Sequence, residues 1–583
     1  MRNINKYIGL ITFCAIFSTM LISCEDMMGD FLDKPPGVDV TEDTIFSSQL
    51  NTESFLMGIY KDGIYTDLPI WNARDGWRDS PFSCYCDEAE NVATWYKSHL
   101  YNTAGITPWT TRDEGRWEYR WKAIRSIHIF LDKIENVPDA SPEYKNQSKG
   151  QALFIRGLCY FEMLKRYGGV PLVDNRFDVD NPDPESLKIP RATLEETVNF
   201  IVNDAETAAS LLPDKWPSQY AGKATKGAAL MLKARTLLYA ASPLSNTATP
   251  PVELPGNNDL ICYGNYDANR WKLAADAAKA VIDWAPAGGV HLITDKGVEK
   301  NYKYVWEVPD NEEVIMPSKL TGLQNVWQDV TKSLNNFYVA QSGTMITQNF
   351  IEKYEKKDGT AQIWDKNGGD NLNQMYSELD PRFGQTVGYN GSYWNQDFPV
   401  LTLWEGAVPA NKPPLLGLKT GYWLRKWVPE SLSNKRTAYI IWNLYRLAEA
   451  YLNYAEALNE YQGPVQEAYE AVRIVRERSG MPPFPTGLTK EQFRKKIRNE
   501  RSIELAMEEH RLRDIMRWRI AEEEGVMQGD MWGIKISKQP APSKEFGWKP
   551  YVFETRYWKM EMYHIPFYQS EVDKGYIIQN PGW

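Results

Sequence analysis

Two stretches of this chain gather the side chains that could hold a sugar. Residues 71–109 carry Trp71, Arg74, Trp77, Arg78, Asp87, Glu88, Trp95, Tyr96, Asn102 and Trp109. Residues 304–338 carry Tyr304, Trp306, Asn325, Trp327, Gln328, Asn336 and Tyr338. A sugar ring presents apolar C–H faces and a rim of hydroxyls, so its site needs rigid aromatic platforms flanked by Asn, Asp, Arg or Lys. With 22 Trp and 33 Tyr the chain holds an aromatic surplus, and much of it falls in polar loops. Trp95 and Trp327 are the first candidates, with Trp71, Trp77, Arg78, Tyr96, Asn102, Trp306 and Asn325 beside them. For any single ring, core or loop packing is the competing role. A third group, Tyr393, Trp394, Trp404, Tyr422, Trp423 and Trp427, reads as packing of the same loop region onto the rest of the chain.

Bond chemistry finds less support. There is no HExxH, GxSxG, Walker-type phosphate loop or GxGxxG, and the five histidines are scattered without ligand spacing. A glycosidase needs only two carboxylates in a cleft. The tempting carboxylates, in Glu500-Arg501-x-x-Glu504 and Arg511-x-Arg513-Asp514, alternate with cations three or four residues apart. That spacing puts opposite charges on one helix face and predicts an ion-pair network locking a hairpin. No catalytic residue and no cofactor is assigned. The run from Asp365 to Asn373 has oxygen donors for a structural calcium but lacks EF-hand spacing, so it reads as a solvated loop. Cys84, Cys86, Cys159 and Cys262 are too few for a disulfide scaffold. Free thiols are expected there, with one bridge from Cys84 or Cys86 to Cys262 as the alternative.

Helical periodicity dominates two blocks, about 114–285 and 438–522. Helices are predicted over 114–135, 148–167, 193–212, 223–242, 270–284, 441–460, 464–479 and 489–522. In 441–460 the apolar stripe runs Leu444, Leu447, Ala448, Tyr451, Leu452, Ala455 and Leu458. Thr193 with Glu196 is a capping box, and Gly168-Gly169 ends the helix that reaches Tyr167. Ala152, Ala228, Ala234, Ala274, Ala277, Ala455 and Ala457 mark close helix approaches, as in degenerate tetratricopeptide-like hairpins. Four hairpins are proposed: 114–167, 193–242, 270–284 with 441–460, and 464–479 with 489–522. The segments 62–112 and 286–437 are rich in Gly, Asn, Pro and Trp and form an irregular second layer on that scaffold.

The first residues have the build of an export signal. Arg2 and Lys6 precede an apolar run over 7–22, and Leu21-Ile22-Ser23-Cys24 resembles a bacterial lipobox, with Cys24 as the lipidated residue. Residues 1–23 would be removed, 24–40 would form an acidic, proline-containing tether, and 41–583 one domain. Loss of Arg2 and Lys6 takes the formal charge from −10 to −12, which argues against nucleic acid as a partner.

In order along the chain stand RWKAIR at 120–125, KGQALFIRGLCYFEMLKRYGGVPLV at 149–173, RATLEETVNFIVNDAETAASLLP at 191–213 and GKATKGAALMLKARTLLYAASPLSN at 222–246. WNLYRLAEAYLNYAEALNE at 442–460, RNERSIELAMEEHRLRDIMRW at 498–518 and QNPGW at 579–583 follow. Behind a lipobox, this series resembles the SusD/RagB outer-membrane lipoproteins of Bacteroidetes, over nearly the whole mature chain. His510 stands where the family usually has glycine, a change expected only to adjust a turn or helix face. The resemblance implies a mainly α fold and a cell-surface lipoprotein. It would capture a poly- or oligosaccharide for a SusC-like TonB-dependent transporter barrel, without enzymatic activity. It also implies that the two aromatic segments supply the glycan face, and Asp87-Glu88-Ala89 looks like the family's Asp-Glu loop. Oligopeptide capture, a structural lid and a surface hydrolase are the other readings.

Overall fold

The computed structural model describes residues 41–64, 81–91, 94, 96–111, 116–177, 183–318, 344–394, 399–407, 419–427 and 442–583. Eleven helices carry the argument. They are α1 (Gln49–Ile64), α2 (Trp117–Lys133), α3 (Pro142–Tyr167), α4 (Leu194–Leu211), α5 (Lys226–Ala241) and α6 (Asn269–Gly288). Then come α7 (Val298–Glu307), α8 (Leu447–Gln462), α9 (Gln466–Arg478), α10 (Lys490–Glu504) and α11 (Arg511–Trp518). Local chemistry sets several of their ends. Thr193 and Glu196 exchange capping-box hydrogen bonds at α4, and Thr489 and Gln492 do so at α10. Ser141 caps α3 with Pro142 in its first turn, and Gly168, at φ +80°, ends it.

The helices pack in series: α2 on α3, α3 on α4, α4 on α5, α5 on α6 and α6 on α8. Three of the four expected hairpins form, including the one interrupted by the long insertion. In the fourth, α9 and α10 both pack on α8 and meet each other through side chains, Tyr469 against Phe493 and Arg476 on Glu500. The predicted helix 489–522 is two helices. The chain breaks between them, with Met507 and Glu509 at positive φ. The carbonyls that would continue α10 are taken by other partners. Glu504 O accepts from Arg446 and Tyr302, Ala506 O from Lys426, and Met507 O from the Trp427 indole. The predicted helix 441–460 also begins late. Residues Trp442–Arg446 are strand β6, antiparallel to β2 (Val314–Ser318), and α8 starts where Leu447 N donates to Glu313 O.

Three further two-stranded ladders complete the second layer. β1 (Ala89–Asn91) pairs with β3 (Thr344–Ile346), and β4 (Val387–Gly388) with β5 (Trp423–Leu424). β7 (Gly529–Lys538) pairs with β8 (Phe546–Arg556) in a ribbon that the helix-centred reading misses. Its signal was the alternation Ile534-Lys535-Ile536-Ser537, whose isoleucines are buried.

Two apolar cores result. One fills the helical scaffold. The other gathers Trp306, Trp394, Tyr422, Trp423, Trp427, Trp442 and Trp548 from the loop-rich layer over Ile503, Ala506 and Met507. Most of the third aromatic group packs as expected, with Tyr393 left exposed. Cys84, Cys86, Cys159 and Cys262 are free and buried, so the alternative bridge to Cys262 is not formed.

Between the cores runs a seam of buried ion pairs. Arg446 reaches Glu313 at 3.0 Å, Glu504 at 2.7 Å and Glu508 at 2.7 Å. Arg382 reaches Asp380, Glu500 and Glu504, while Arg478 holds Glu313 and Glu504. Burial works to raise the Glu504 carboxyl, but Arg478, Arg446 and Arg382 outweigh it and hold it far below the usual carboxylate range. The expected network therefore exists: Arg476 and Arg478 of α9 hold Glu500 and Glu504 of α10, and the same buried network also joins the two layers.

Candidate functional site

Loop positions depend on what anchors them, and the anchor here is the β1–β3 ladder. Asn91, at the end of β1, pairs with Thr344, at the start of β3. The chain therefore brings the segment that follows 91 and the segment that precedes 344 to one end of one ladder. Trp95 belongs to the first segment and Trp327 to the second. Six of the nine sugar-binding candidates, Trp71, Trp77, Arg78, Trp95, Asn325 and Trp327, lie outside the described residues.

The other three are buried. Tyr96 sits at the start of the short helix Lys97–Asn102. Asn102 donates to Cys84 O at 3.3 Å and to Glu90 at 3.1 Å. Trp306 packs edge-on to Trp427, with ring centroids 4.0 Å apart and Lys426 over its face. The hollow Trp306 borders measures about 10 Å³, no more than a water needs. These three are buried framework in this structure, and the expectation of open platforms does not hold for them. Trp306 lies in α7, whose inward face fills the second core.

The ladder itself is clamped by charge. Asp87 makes a two-point pair with Arg511, at 2.8 and 2.7 Å, and meets Lys353 at 3.2 Å. Burial pushes its pKa up, yet Arg511 and Lys353 win and bring it down to about 2. Glu88 accepts from Met507 N at 3.0 Å, and burial drives its carboxyl well above the usual range. Glu90 pairs with Arg556 at 2.6 Å and shares it with Glu554. Burial raises Glu90, which Arg556 only partly offsets. The Asp87-Glu88-Ala89 loop is thus held from α11, from the α10–α11 turn and from β8. It positions the segment after it, and its own carboxylates face inward.

One exposed ring nearby carried no signal in the sequence reading. Tyr557 is 61 % exposed, and its amide donates to Asn102 O at 2.9 Å. It lies at the far end of the helix whose near end follows Trp95, a helix of about 9 Å. Only β8, which ends at Arg556, brings Tyr557 to this place.

Among the described residues, no group of three or more His, Cys, Asp or Glu converges as a metal site. The Asp365–Asn373 loop is stitched to the β7–β8 ribbon, where Gly369 and Trp548 exchange backbone hydrogen bonds. Asp365 accepts from Asn367 N, and Asp370 from Gln539. Nor is any helix among the described residues long and apolar enough to cross a membrane.

Comparison with known proteins agrees with this architecture. Residues 312–583 match the model of the SusD family, and residues 30–238 match that of a family described as starch-binding and associating with the outer membrane. The chain is 22 % identical over 551 residues to SusD-like protein P25 of Formosa agariphila, covering 89 % of this chain and 90 % of that one. A crystal structure of a SusD-like protein from Bacteroides fragilis superposes with a TM-score of 0.75 at 25 % identity, over 94 % of this chain and all of that one. A SusD-like carbohydrate-binding protein from the same species gives 0.69 at 23 % identity, over 91 % of this chain and 99 % of that one.

Proposed function

The chain belongs to the SusD-like family, and from that premise we propose that it captures a poly- or oligosaccharide at the cell surface and passes it to a SusC-like TonB-dependent transporter. Binding is non-covalent and makes or breaks no bond in the ligand. The observation that supports this reading is the charge-clamped β1–β3 ladder, at one end of which Asn91 pairs with Thr344, so that the chain leaves for Trp95 and arrives from Trp327 at the same edge. Sites built this way lose little freedom on binding, so stacking on Trp95 and Trp327 can appear as affinity. Tyr557 extends the same face. The carbohydrate-binding relative from Bacteroides fragilis supports a glycan as the ligand class. The lipobox supports anchoring through Cys24 in the outer membrane, and the family description is in keeping with that location.

The test is affinity electrophoresis through gels carrying different polysaccharides, followed by calorimetry on the glycan that retards the protein. Trp95→Ala and Trp327→Ala are each expected to weaken binding at least tenfold, the loss of a central aromatic contact of about 2 kcal/mol, with unchanged thermal stability. Retention by no glycan, together with binding of oligopeptides, overturns the reading. Release of reducing sugar by the pure protein overturns its non-enzymatic part.

A further inference from the structure

Along the outer side of α2 runs an aromatic groove. One part, of about 230 Å³, is lined by Trp121, Ile124, Ile129, Val173 and Phe177. Through Trp121, Val173 and Phe177 it continues into a second part of about 390 Å³, bordered by Trp117, Leu187 and Tyr576. Leu187 is 45 % exposed there. Apolar surface of this extent in the open needs an occupant.

The chain itself enters the fold at the groove's mouth. Thr41, where the described residues begin, caps the short helix Glu42–Ile45. The Glu42 carboxylate takes two hydrogen bonds from Arg176, at 2.8 and 2.7 Å, and Arg176 lines the groove. One helical turn on, Phe46 packs against Phe130 of α2. The residues upstream of Thr41 therefore start beside the cavity. They are acidic and proline-containing, with two bulky apolar pairs, Met27-Met28 and Phe31-Leu32, of which the one nearer the groove, Phe31-Leu32, is flanked by Asp30 and Asp33.

Length and charge both fit. Nine residues of extended chain reach about 30 Å, while α2 from Ile129 back to Trp117 spans about 18 Å. Arg125 and Arg176 border the near part of the groove, whereas Glu118, Glu571 and Lys574, the last two paired with each other, border the far part. An apolar pair between aspartates suits the arginine end. We propose that Phe31 and Leu32 dock in the Trp121–Phe177 groove of their own chain, strapping the tether to the helical scaffold. The free leash then shortens to the residues between Cys24 and Asp30, which fixes the side of the molecule that faces the membrane.

The experiment places the photo-reactive residue p-benzoylphenylalanine at position 31 of the lipidated full-length chain. After illumination, adducts are mapped by mass spectrometry. Most are expected within one chain, on residues 121–129 or 173–177, and Phe177→Asp should reduce them at least fivefold. Adducts elsewhere on the chain, on a second molecule or on a partner barrel overturn the proposal. So does a yield no higher than that from the same probe at Ile363, which is 81 % exposed in the other layer. Hydrogen exchange on the unsubstituted chain gives an independent reading. Amides 31–34 should exchange at least tenfold more slowly than amides 25–28, and equal rates overturn it.

Discussion

Arg446 makes five hydrogen bonds inside the protein, one to Glu313, one to Glu504, two to Glu508 and one to the Glu504 carbonyl. Removing it leaves three buried acids competing for Arg478, Arg382 and Lys426. Such a deletion costs about 3–5 kcal/mol, far more than the pair's net worth, because the abandoned charges stay buried. Arg446→Ala should lower the urea midpoint accordingly. Lys188→Ala, which breaks an exposed pair with Glu185, should leave it in place. The buried histidines add a pH term of definite sign. Burial, helped by Arg191 and Arg519, brings His564 down to about 3, and burial likewise holds His510 well below its ordinary value. The unfolded chain takes up these protons below about pH 6.5 while the folded chain refuses them. Their contribution is complete above pH 6.5 and drains away as pH falls towards the folded value. Glu88 and Glu90, raised by burial, act in the opposite sense over the same range, so the histidine contribution is read by comparing denaturation at pH 7, 6 and 5 with and without His564. His564→Gln should lower the slope of stability against pH by up to a tenfold change in folding constant per pH unit. An unchanged slope would mean that His564 is charged inside the fold.

At the scale of elements, the close helix approaches can be put to the same kind of test. Gly227 in α5 faces the Trp284 ring of α6, and a Cβ there would come within 2.1 Å of it. The ring cannot retreat easily, since its indole N–H donates to Asp214 at 3.0 Å and Gly288 backs it. Helix propensity alone would have Gly227→Ala stabilise by up to about 1 kcal/mol. Overpacking should win, with a net loss of about 1–3 kcal/mol. Trp284→Phe in the same chain should return part of it, which a double-mutant cycle on thermal unfolding would show. The scaffold was legible in the sequence because α3, α4, α5 and α6 take their faces from a 3.6-residue period, and local signals mark the start of α4 and the end of α3. Even so, α3 begins at Pro142 instead of 148, and α6 runs through Pro286 to Gly288. The helices 441–460 and 489–522 were misdrawn for a non-local reason. Trp442–Arg446 carries enough apolar residues for either state, and only its pairing with β2, some 125 residues away, makes it a strand. The break after Glu504 is made by Lys426 and Trp427, which no periodicity in 489–522 encodes. The site divides the same way: its aromatic supply was visible, but which rings are core depended on the second apolar cluster, which forms only when distant loops meet.

At the scale of the molecule, the second layer has its own core and is held to the scaffold by the buried seam, so the β1–β3 ladder that would carry the proposed face is tied to the helices. That rigidity matters if the protein acts as one body on a tether. Binding at the face and retention at the surface then become separable properties. Lipid chains anchor by burying methylenes, each contributing about 0.8 kcal/mol, and in the proposed arrangement they would act through Cys24 alone. Tethering raises the local concentration of binding sites near a transporter without adding a contact to the ligand. Cys24→Ala should therefore leave glycan affinity in solution unchanged, within about twofold by calorimetry. It should also move the protein out of the membrane fraction and cut uptake most strongly at low glycan concentration, where capture limits the rate. Trp95→Ala should do the reverse, keeping the protein on the membrane while weakening binding. If Cys24→Ala remains at the cell surface and supports uptake at every concentration, retention belongs to the partner barrel, and the acyl anchor is dispensable to function.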